Sequence, residues 1–285
     1  MVREDGEQPV RKEVVLAGKD NQPDWNRIAE KFDMWLPQLA PVGEALLSAL
    51  EARPGERVLD LASGTGEPAL TLARRMNGAV EVVGVDSAEG MVRAAQAKVD
   101  REGLPGVSFH CMPAERLTLA DETFDRALCR FGVMLFGDPL VGLKEMRRVL
   151  KPGGRFALAV WSTPETMTTM WWACQVFKDR LPEEKHPAID KVTSLGGRGV
   201  LEEILGAAGF STFTVERRAL HYEFDSFDAF WDRVEASEIL KAQFDALPPE
   251  ERAKIRDEVA PFARDLVHDG LLRIPHEYLL AAGNR

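Results

Sequence analysis

Cysteine is scarce in this chain, with three in 285 residues. Cys111, Cys129 and Cys174 are too widely spaced for a zinc site or a disulfide framework, so no metal centre is expected. Cys111 and Cys129 sit in strand-like apolar runs and read as buried thiols in a reducing compartment. No run of about 18 apolar residues occurs, which leaves no candidate membrane-spanning helix. The opening stretch, with Arg3, Glu4, Asp5, Glu7, Arg11 and Lys12, lacks the apolar segment of a secretory signal. The expectation is a soluble, cytoplasmic protein. Positive charge is also short: 36 Lys and Arg against 46 Asp and Glu leave a formal net charge of -10. That balance excludes a broad nucleic-acid footprint, which needs clustered basic side chains to neutralise phosphates. Internal repeats and low-complexity tracts are missing as well.

What remains is ample apolar material, 45% of the chain, arranged as short apolar strands alternating with helical segments. That alternation predicts an α/β fold with a parallel sheet covered by helices on both faces. Strands are expected at 57–61, 80–85, 107–112, 124–129 and 155–161, with helices at about 68–76, 89–102 and 140–150. Lys151-Pro152-Gly153-Gly154 reads as a helix stop and turn before the fifth strand. Beyond it, 161–187 reads as a long irregular insertion covering a site, followed by a helix near 200–208. Residues 212–224 alternate like a strand, 226–268 are helical in pattern with Pro248, Pro249 and Pro261 interrupting, and 274–282 reads as a closing strand. The domain reading is therefore an N-terminal arm and lid helices over 1–48, a core over 49–225, a helical cap inserted at 226–270, and a closing strand of the core at 271–285. Residues 1 to about 22 are read as a mobile arm ahead of two helices at 24–50.

The stretch from Val58 to Pro68, Val-Leu-Asp-Leu-Ala-Ser-Gly-Thr-Gly-Glu-Pro, carries the chemistry. A buried strand runs into a turn where Gly64 and Gly66 permit positive φ and let backbone N–H groups approach a ligand, and Pro68 suits a helix start. Asp60 makes the turn a poor phosphate cradle but a good partner for a cation, such as the α-amino and sulfonium groups of S-adenosylmethionine. Two readings survive here. Gly64-x-Gly66-x-x-Ala69 also satisfies the relaxed dinucleotide fingerprint, and Asp86 ends the second strand where a ribose-binding acid belongs. A nicotinamide-dependent oxidoreductase is thus the rival enzyme class, although Asp60 stands where that fingerprint places a small or apolar residue.

Several ordered motifs, taken together, resemble the class I S-adenosylmethionine-dependent methyltransferases, specifically the ubiquinone/menaquinone-biosynthesis type and its small-molecule relatives (methyltransferase type 11). Asp60-Leu-Ala-Ser-Gly-Thr-Gly66 is similar to their first motif, and Gly84-Val-Asp86 with Met91 to the acidic end of the second strand. Pro113-Ala114-Glu115 with Asp121 to Asp125 resembles the adenine-side motif, and Glu145 to Gly154 the junction before strand five. The resemblance implies a Rossmann-like seven-stranded sheet of order 3-2-1-4-5-7-6 with a helical cap. It implies S-adenosylmethionine as cofactor, leaving as S-adenosylhomocysteine.

The residues it assigns to the cofactor are Asp60, Ala62, Ser63, Gly64, Gly66, Asp86, Ser87, Met91, Ala114, Glu115 and Arg130. Asp60 would hold the methionine amino group, Asp86 the ribose hydroxyls, and Arg130 would line the methionine side through its backbone carbonyl. Met91 packs on adenine or belongs to the plain helix-sheet core. Relatives commonly carry an acid where this chain has Pro113, and Glu115 is the substitute.

On the acceptor side the sequence is less specific. Methyl transfer from a sulfonium needs positioning and desolvation more than a base; if a base is used, His186 and His221 are the candidates. Trp25, Phe32, Trp35, Trp161, Trp171 and Trp231 are candidates for a lid or acceptor pocket, with ordinary packing as the alternative. The expected activity is methyl transfer to a C, O or N atom of a small apolar or aromatic metabolite by a monomer or homodimer. A non-catalytic S-adenosylmethionine-binding sensor or scaffold is the third possibility.

Overall fold

The computed structural model describes residues 23–285, and the expected N-terminal arm lies outside them. Asp24 opens helix α1 (Trp25–Phe32) as its N-cap, its carboxylate accepting the Arg27 N–H; acidic N-caps satisfy a backbone donor that the first turn leaves unpaired. A 3-10 turn at Asp33–Trp35 leads into α2 (Leu36–Leu50). The alternating core follows: β1 (Arg57–Leu61), α3 (Ala69–Met76), β2 (Glu81–Asp86), α4 (Glu89–Glu102), β3 (Val107–Cys111), β4 (Phe124–Arg130), α5 (Pro139–Val149) and β5 (Leu150–Trp161).

The rest of the chain comprises α6 (Thr168–Phe177), α7 (Ile189–Val192), α8 (Val200–Ala207), β6 (Thr212–Phe224), α9 (Phe227–Ser237), α10 (Lys241–Asp245), α11 (Pro249–Arg264), β7 (Val267–His268) and β8 (Leu271–Asn284).

One sheet gathers all the strands in the order β3-β2-β1-β4-β5-β8-β6, with β7 paired to β8. The first five strands are parallel, and β8 runs antiparallel between β5 and β6. The expected path 3-2-1-4-5-7-6 is therefore the observed one, except that the two-residue β7 makes the closing strand the eighth in chain order. Residues 58–61 of β1 are all buried, as in parallel sheets covered on both faces. Asp60 is thereby a carboxylate in the middle of an apolar strand, paired in register with Gly84 of β2 and Leu128 of β4.

Four local expectations need correction. Residues 161–187 are not irregular throughout, because α6 occupies their centre. Its sequence has no charged face to reveal a helical period, since it is wedged between β8 and α11. The Lys151-Pro-Gly-Gly junction is not a loop before β5 but a bulge inside it: Leu150 pairs Phe124, the register shifts, and Arg155 pairs Arg126. Pro261 does not interrupt α11 but sits in its last turn. Finally, Cys111 is exposed, because it ends β3 on the open edge of the sheet, whereas Cys129 in central β4 is buried. Burial pushes the Cys129 thiol up to about 12, so it stays protonated.

Among the described residues, no helix is long and apolar enough to cross a membrane, and no group of three His, Cys, Asp or Glu side chains is placed to hold a metal ion.

Candidate functional site

At the carboxyl ends of β1, β2 and β4 the chain breaks out of the sheet around a cavity of about 380 Å³. Its floor is the turn after β1, where Ala62 (φ +56°), Gly64 (φ +53°) and Gly66 (φ +102°) all lie at positive φ. Glycine removes that conformational cost at two of the three positions. A side chain at Gly64 would meet no atom within 4 Å, so the backbone there faces open space; one at Gly66 would stand 2.7 Å from Leu70 Cδ1. The turn is fixed by Ser63 N–H donating to Val85 O (2.9 Å) and Gly66 N–H to Ser63 O (2.9 Å).

Asp86 ties this turn to α4. Its Oδ2 accepts the Gly64 N–H at 2.9 Å, and its Oδ1 accepts the Ala88 N–H at 2.8 Å. Burial raises the Asp86 carboxyl above its ordinary range, and the amides of Ala88, Gly64 and Ser87 oppose that rise. The carboxylate lines the cavity with lone pairs still available for further donors.

Asp60 lies below the wall. Both of its oxygens are buried, and neither they nor Ser63 Oγ has a hydrogen-bond partner among the described residues. Burial pushes its carboxyl up to about 8, with the Arg130 guanidinium pulling the other way. A buried carboxyl left without a partner is costly to ionise, so near pH 7 Asp60 is held largely as the neutral acid, and a cation brought near the floor would favour its ionised form.

The cavity wall includes Ala62, Ser63, Gly64, Asp86, Ser87, Met91, Ala114, Glu115 and Arg130, as well as Trp25, Phe32, Trp35, Trp161 and Trp231. Asp60 and Gly66 lie behind it. Met91 is buried against Ile28 and Ala29 of α1 as well as facing the cavity. Glu115 Oε1 accepts the Gly137 N–H at 2.7 Å, so part of that side chain holds the loop before α5.

Helix α1 closes the front. Asp33 at its end accepts the Thr65 hydroxyl (2.5 Å) and pairs with Lys98 (2.6 Å), while Lys31 pairs with Glu238 beyond α9 (2.7 Å). Asn26 Oδ1 accepts the Gly90 N–H at 2.8 Å. The helix thereby touches both the α/β core and the helices inserted between β6 and β8.

Away from the turn the wall becomes apolar and aromatic, with Met167, Met170, Trp172, Phe177, Phe230 and Phe244 among its residues. Phe131, at φ +57°, stacks on Trp161 with centroids 4.0 Å apart.

Three of the expected residues are not brought here. Trp171 is 37% exposed on the outer side of α6, one residue from Trp172, which faces in. His221 is on the exposed side of β6, and His186 Nε2 is hydrogen-bonded to Leu181 O at 2.8 Å. Neither lines the cavity. The histidine that does approach it is His276, stacked on Tyr222 with centroids 4.1 Å apart and bonded through Nε2 to the Thr169 hydroxyl at 3.0 Å. Burial holds its imidazole down at about 4, so it is neutral at pH 7.

Tyr222, Thr169 and Phe131 line the wall without having been expected there. Strand parity was the available signal for Tyr222, since Leu220, Tyr222 and Phe224 form the buried side of β6.

Comparison with known proteins bears out the resemblance carried by the motifs. Residues 44–184 match the model of the ubiE/COQ5 methyltransferase family. A ubiquinone/menaquinone biosynthesis C-methyltransferase from Geobacter sulfurreducens is 43% identical over 113 residues, 39% of this chain and 44% of that protein. A demethylmenaquinone methyltransferase from Beutenbergia cavernae is 46% identical over 120 residues, 42% of this chain and 47% of that protein. The chain thus spans about half the length of the curated relatives it matches. The fold is that of a phosphoethanolamine N-methyltransferase from Haemonchus contortus, solved with S-adenosyl-L-methionine. The two are 18% identical with a TM-score of 0.60, over 91% of this chain and 57% of the other.

Proposed function

We propose that this protein is an S-adenosylmethionine-dependent methyltransferase acting on a C, O or N atom of a small apolar or aromatic acceptor. The observation that carries the reading is a single cavity with two unlike ends. At one end, Asp86 and the Gly64 backbone face the opening while Asp60 lies unpartnered beneath it; the other is walled by Met, Phe and Trp side chains. An unpaired buried carboxylate disfavours a pyrophosphate and favours a cationic ligand. The matched segment ends at residue 184, so α9 and α10, which add Phe230, Trp231 and Phe244 to the apolar end, lie outside it, and the acceptor is argued from the cavity alone.

S-adenosylmethionine supplies, when bound, a methyl carbon made electrophilic by its sulfonium. The chain's own part is to bind, orient and dry the site. Asp86 would accept the ribose hydroxyls, the Gly64 backbone would lie beneath the amino-acid end, and Met91 and Ala114 would flank the adenine. Trp25, Phe32 and α1 would exclude water from the reacting end, which strengthens every electrostatic contact inside. Trp161, Trp172, Phe230 and Trp231 would hold a flat or apolar acceptor by burial and ring contacts. Residues 49–225 and 271–285 would carry the cofactor, and the acceptor wall would be shared between α6 with Trp161 and the helices of 226–270.

Calorimetric titration with S-adenosylhomocysteine tests the cofactor half, with a Kd in the micromolar range expected, about -8 kcal/mol. No binding at about 1 mM would reject the reading. Methyl-labelled S-adenosylmethionine incubated with an organic extract then tests turnover, with label expected in an organic-soluble product; label only in protein or nucleic acid would overturn the acceptor class.

A second expectation concerns α1. A Cβ at Gly90 would stand 2.6 Å from Asn26 O and 2.9 Å from Asn26 Cα. Gly90→Ala must therefore push α1 off α4. Affinity for S-adenosylhomocysteine should drop about tenfold, roughly 1.4 kcal/mol, while the melting temperature of the free protein moves little. An unchanged affinity in the same titration would show that α1 does not cover the cofactor.

A further inference from the structure

Arg130 ends β4, pairs in register with Ala159, and lines the cavity beside the turn. Its guanidinium reaches toward α2, where a Cβ on Gly43 would stand 3.9 Å from Nη1. Half-buried on the cavity wall, it makes no hydrogen bond or ion pair with any described residue. The carboxylates whose charge it feels are Asp60, Glu67 and Asp33. Two of these are engaged elsewhere. Glu67 accepts from the Thr71 amide and hydroxyl and from Arg74, and Asp33 accepts from Thr65 and pairs with Lys98. The third, Asp60, has no partner either.

A buried carboxyl without a hydrogen-bond partner and a guanidinium without a protein partner thus lie on neighbouring strands, not in contact with each other. A planar guanidinium is best satisfied by a carboxylate that takes two of its N–H groups at once. A ligand that presents a carboxylate to Arg130 and an ammonium toward Asp60 would satisfy both, and an α-amino acid group is such a ligand.

We propose that the Arg130 side chain clamps the α-carboxylate of the methionine portion of the cofactor, so that the site selects for an intact amino-acid end. The inference rests on the cofactor reading above and gives Arg130 a side-chain role in place of the backbone contact implied by the resemblance. It also accounts for the pairing pattern around the turn: the neighbouring carboxylates are held by Lys98, Thr65, Thr71 and Arg74, which leaves the guanidinium available.

The test compares two ligands that differ in the amino acid alone. Wild type, Arg130→Ala and Arg130→Lys are titrated with S-adenosylhomocysteine and with 5′-methylthioadenosine, which keeps the adenosine and the thioether but has no carboxylate. Arg130→Ala should weaken S-adenosylhomocysteine about 50-fold and 5′-methylthioadenosine less than about threefold, with Arg130→Lys intermediate for the first ligand. Retained 5′-methylthioadenosine binding shows that the variant is folded. Equal loss of both ligands, or unchanged affinity for S-adenosylhomocysteine, overturns the clamp. If wild type binds 5′-methylthioadenosine as tightly as S-adenosylhomocysteine, the clamp fails while the cofactor reading stands. If wild type binds neither, the cofactor reading fails and the clamp with it.

Discussion

Asp60→Asn should make the ligand-free protein more stable and its cofactor binding weaker. Burial carries the Asp60 carboxyl from 3.8 to about 8. The unfolded chain ionises it freely, so at pH 8 the native state stands at a disadvantage of about 5 kcal/mol from this one group. The sign follows from the direction of the shift. A carboxyl with a raised folded-state pKa adds nothing adverse below about pH 4, erodes stability as pH rises from there to about 8, and has no further effect above.

Asparagine removes the titration but leaves a buried amide short of partners, at about 1–3 kcal/mol. A net gain of about 2–4 kcal/mol at pH 8 corresponds to roughly 5–10 °C in melting temperature for a chain of this size. At pH 5 the gain should be much smaller. His276, whose imidazole is held down at about 4, contributes the opposite slope between about pH 4 and 6.5, which makes the window from 6.5 to 8 the informative one. Thermal melts of both proteins across that window check the prediction. The same variant should bind S-adenosylhomocysteine at least about tenfold more weakly, because the field that favours the ligand ammonium is gone. Equal melting curves at every pH would mean that folding does not raise the Asp60 carboxyl, and would overturn the prediction.

Asp86→Ala should cost more in binding than any other single change at the turn, about 100-fold or roughly 2.7 kcal/mol for S-adenosylhomocysteine. Two losses combine in it. Its oxygens hold the Gly64 and Ala88 N–H groups at 2.9 and 2.8 Å, so the turn loses its tie to α4, and the ribose hydroxyls lose their acceptor. Asp86→Asn gives a useful contrast. One side-chain oxygen can still accept, but the amide NH₂ must face a backbone N–H, and a smaller loss of about tenfold is expected. Titration of both variants settles the order; an asparagine variant as weak as the alanine one would place the charge, rather than the acceptor geometry, at the centre of recognition.

The cofactor end was legible because its requirements are local. The Asp60 to Pro68 stretch joins a strand to a helix through positive-φ positions, and Asp86 ends the next strand, so contiguous residues announce both. The alternation predicted the covered parallel sheet, and the strand order came with the resemblance carried by the motifs. The apolar end of the cavity was not legible to the same degree, because it is assembled from side chains remote in sequence and selected by which way each one turns. Trp171 and Trp172 are adjacent in the chain and face opposite ways on α6. His221 and His276 sit on paired neighbouring strands, yet the first is exposed and the second lies between Tyr222 and Trp161. Composition marks such residues as aromatic or titratable, and only packing decides which of them meet a ligand. Helix α6 escaped notice for a related reason: a helix buried on most sides shows no polar stripe.

The chain leaves the sheet after Phe224 and comes back at Leu272, and these two residues stand opposite each other in the β6–β8 ladder. Everything between them forms α9, α10, α11 and the short β7, and it enters and exits through one point of the scaffold. Such an arrangement is a cassette: exchanging residues 225–271 for the equivalent segment of another protein would leave the central strands in place, although its contacts with α1 through Glu238 and with α6 through α11 would have to be matched. A change confined to this segment would alter the α9–α11 part of the cavity wall while leaving the strands and the turn after β1 in place.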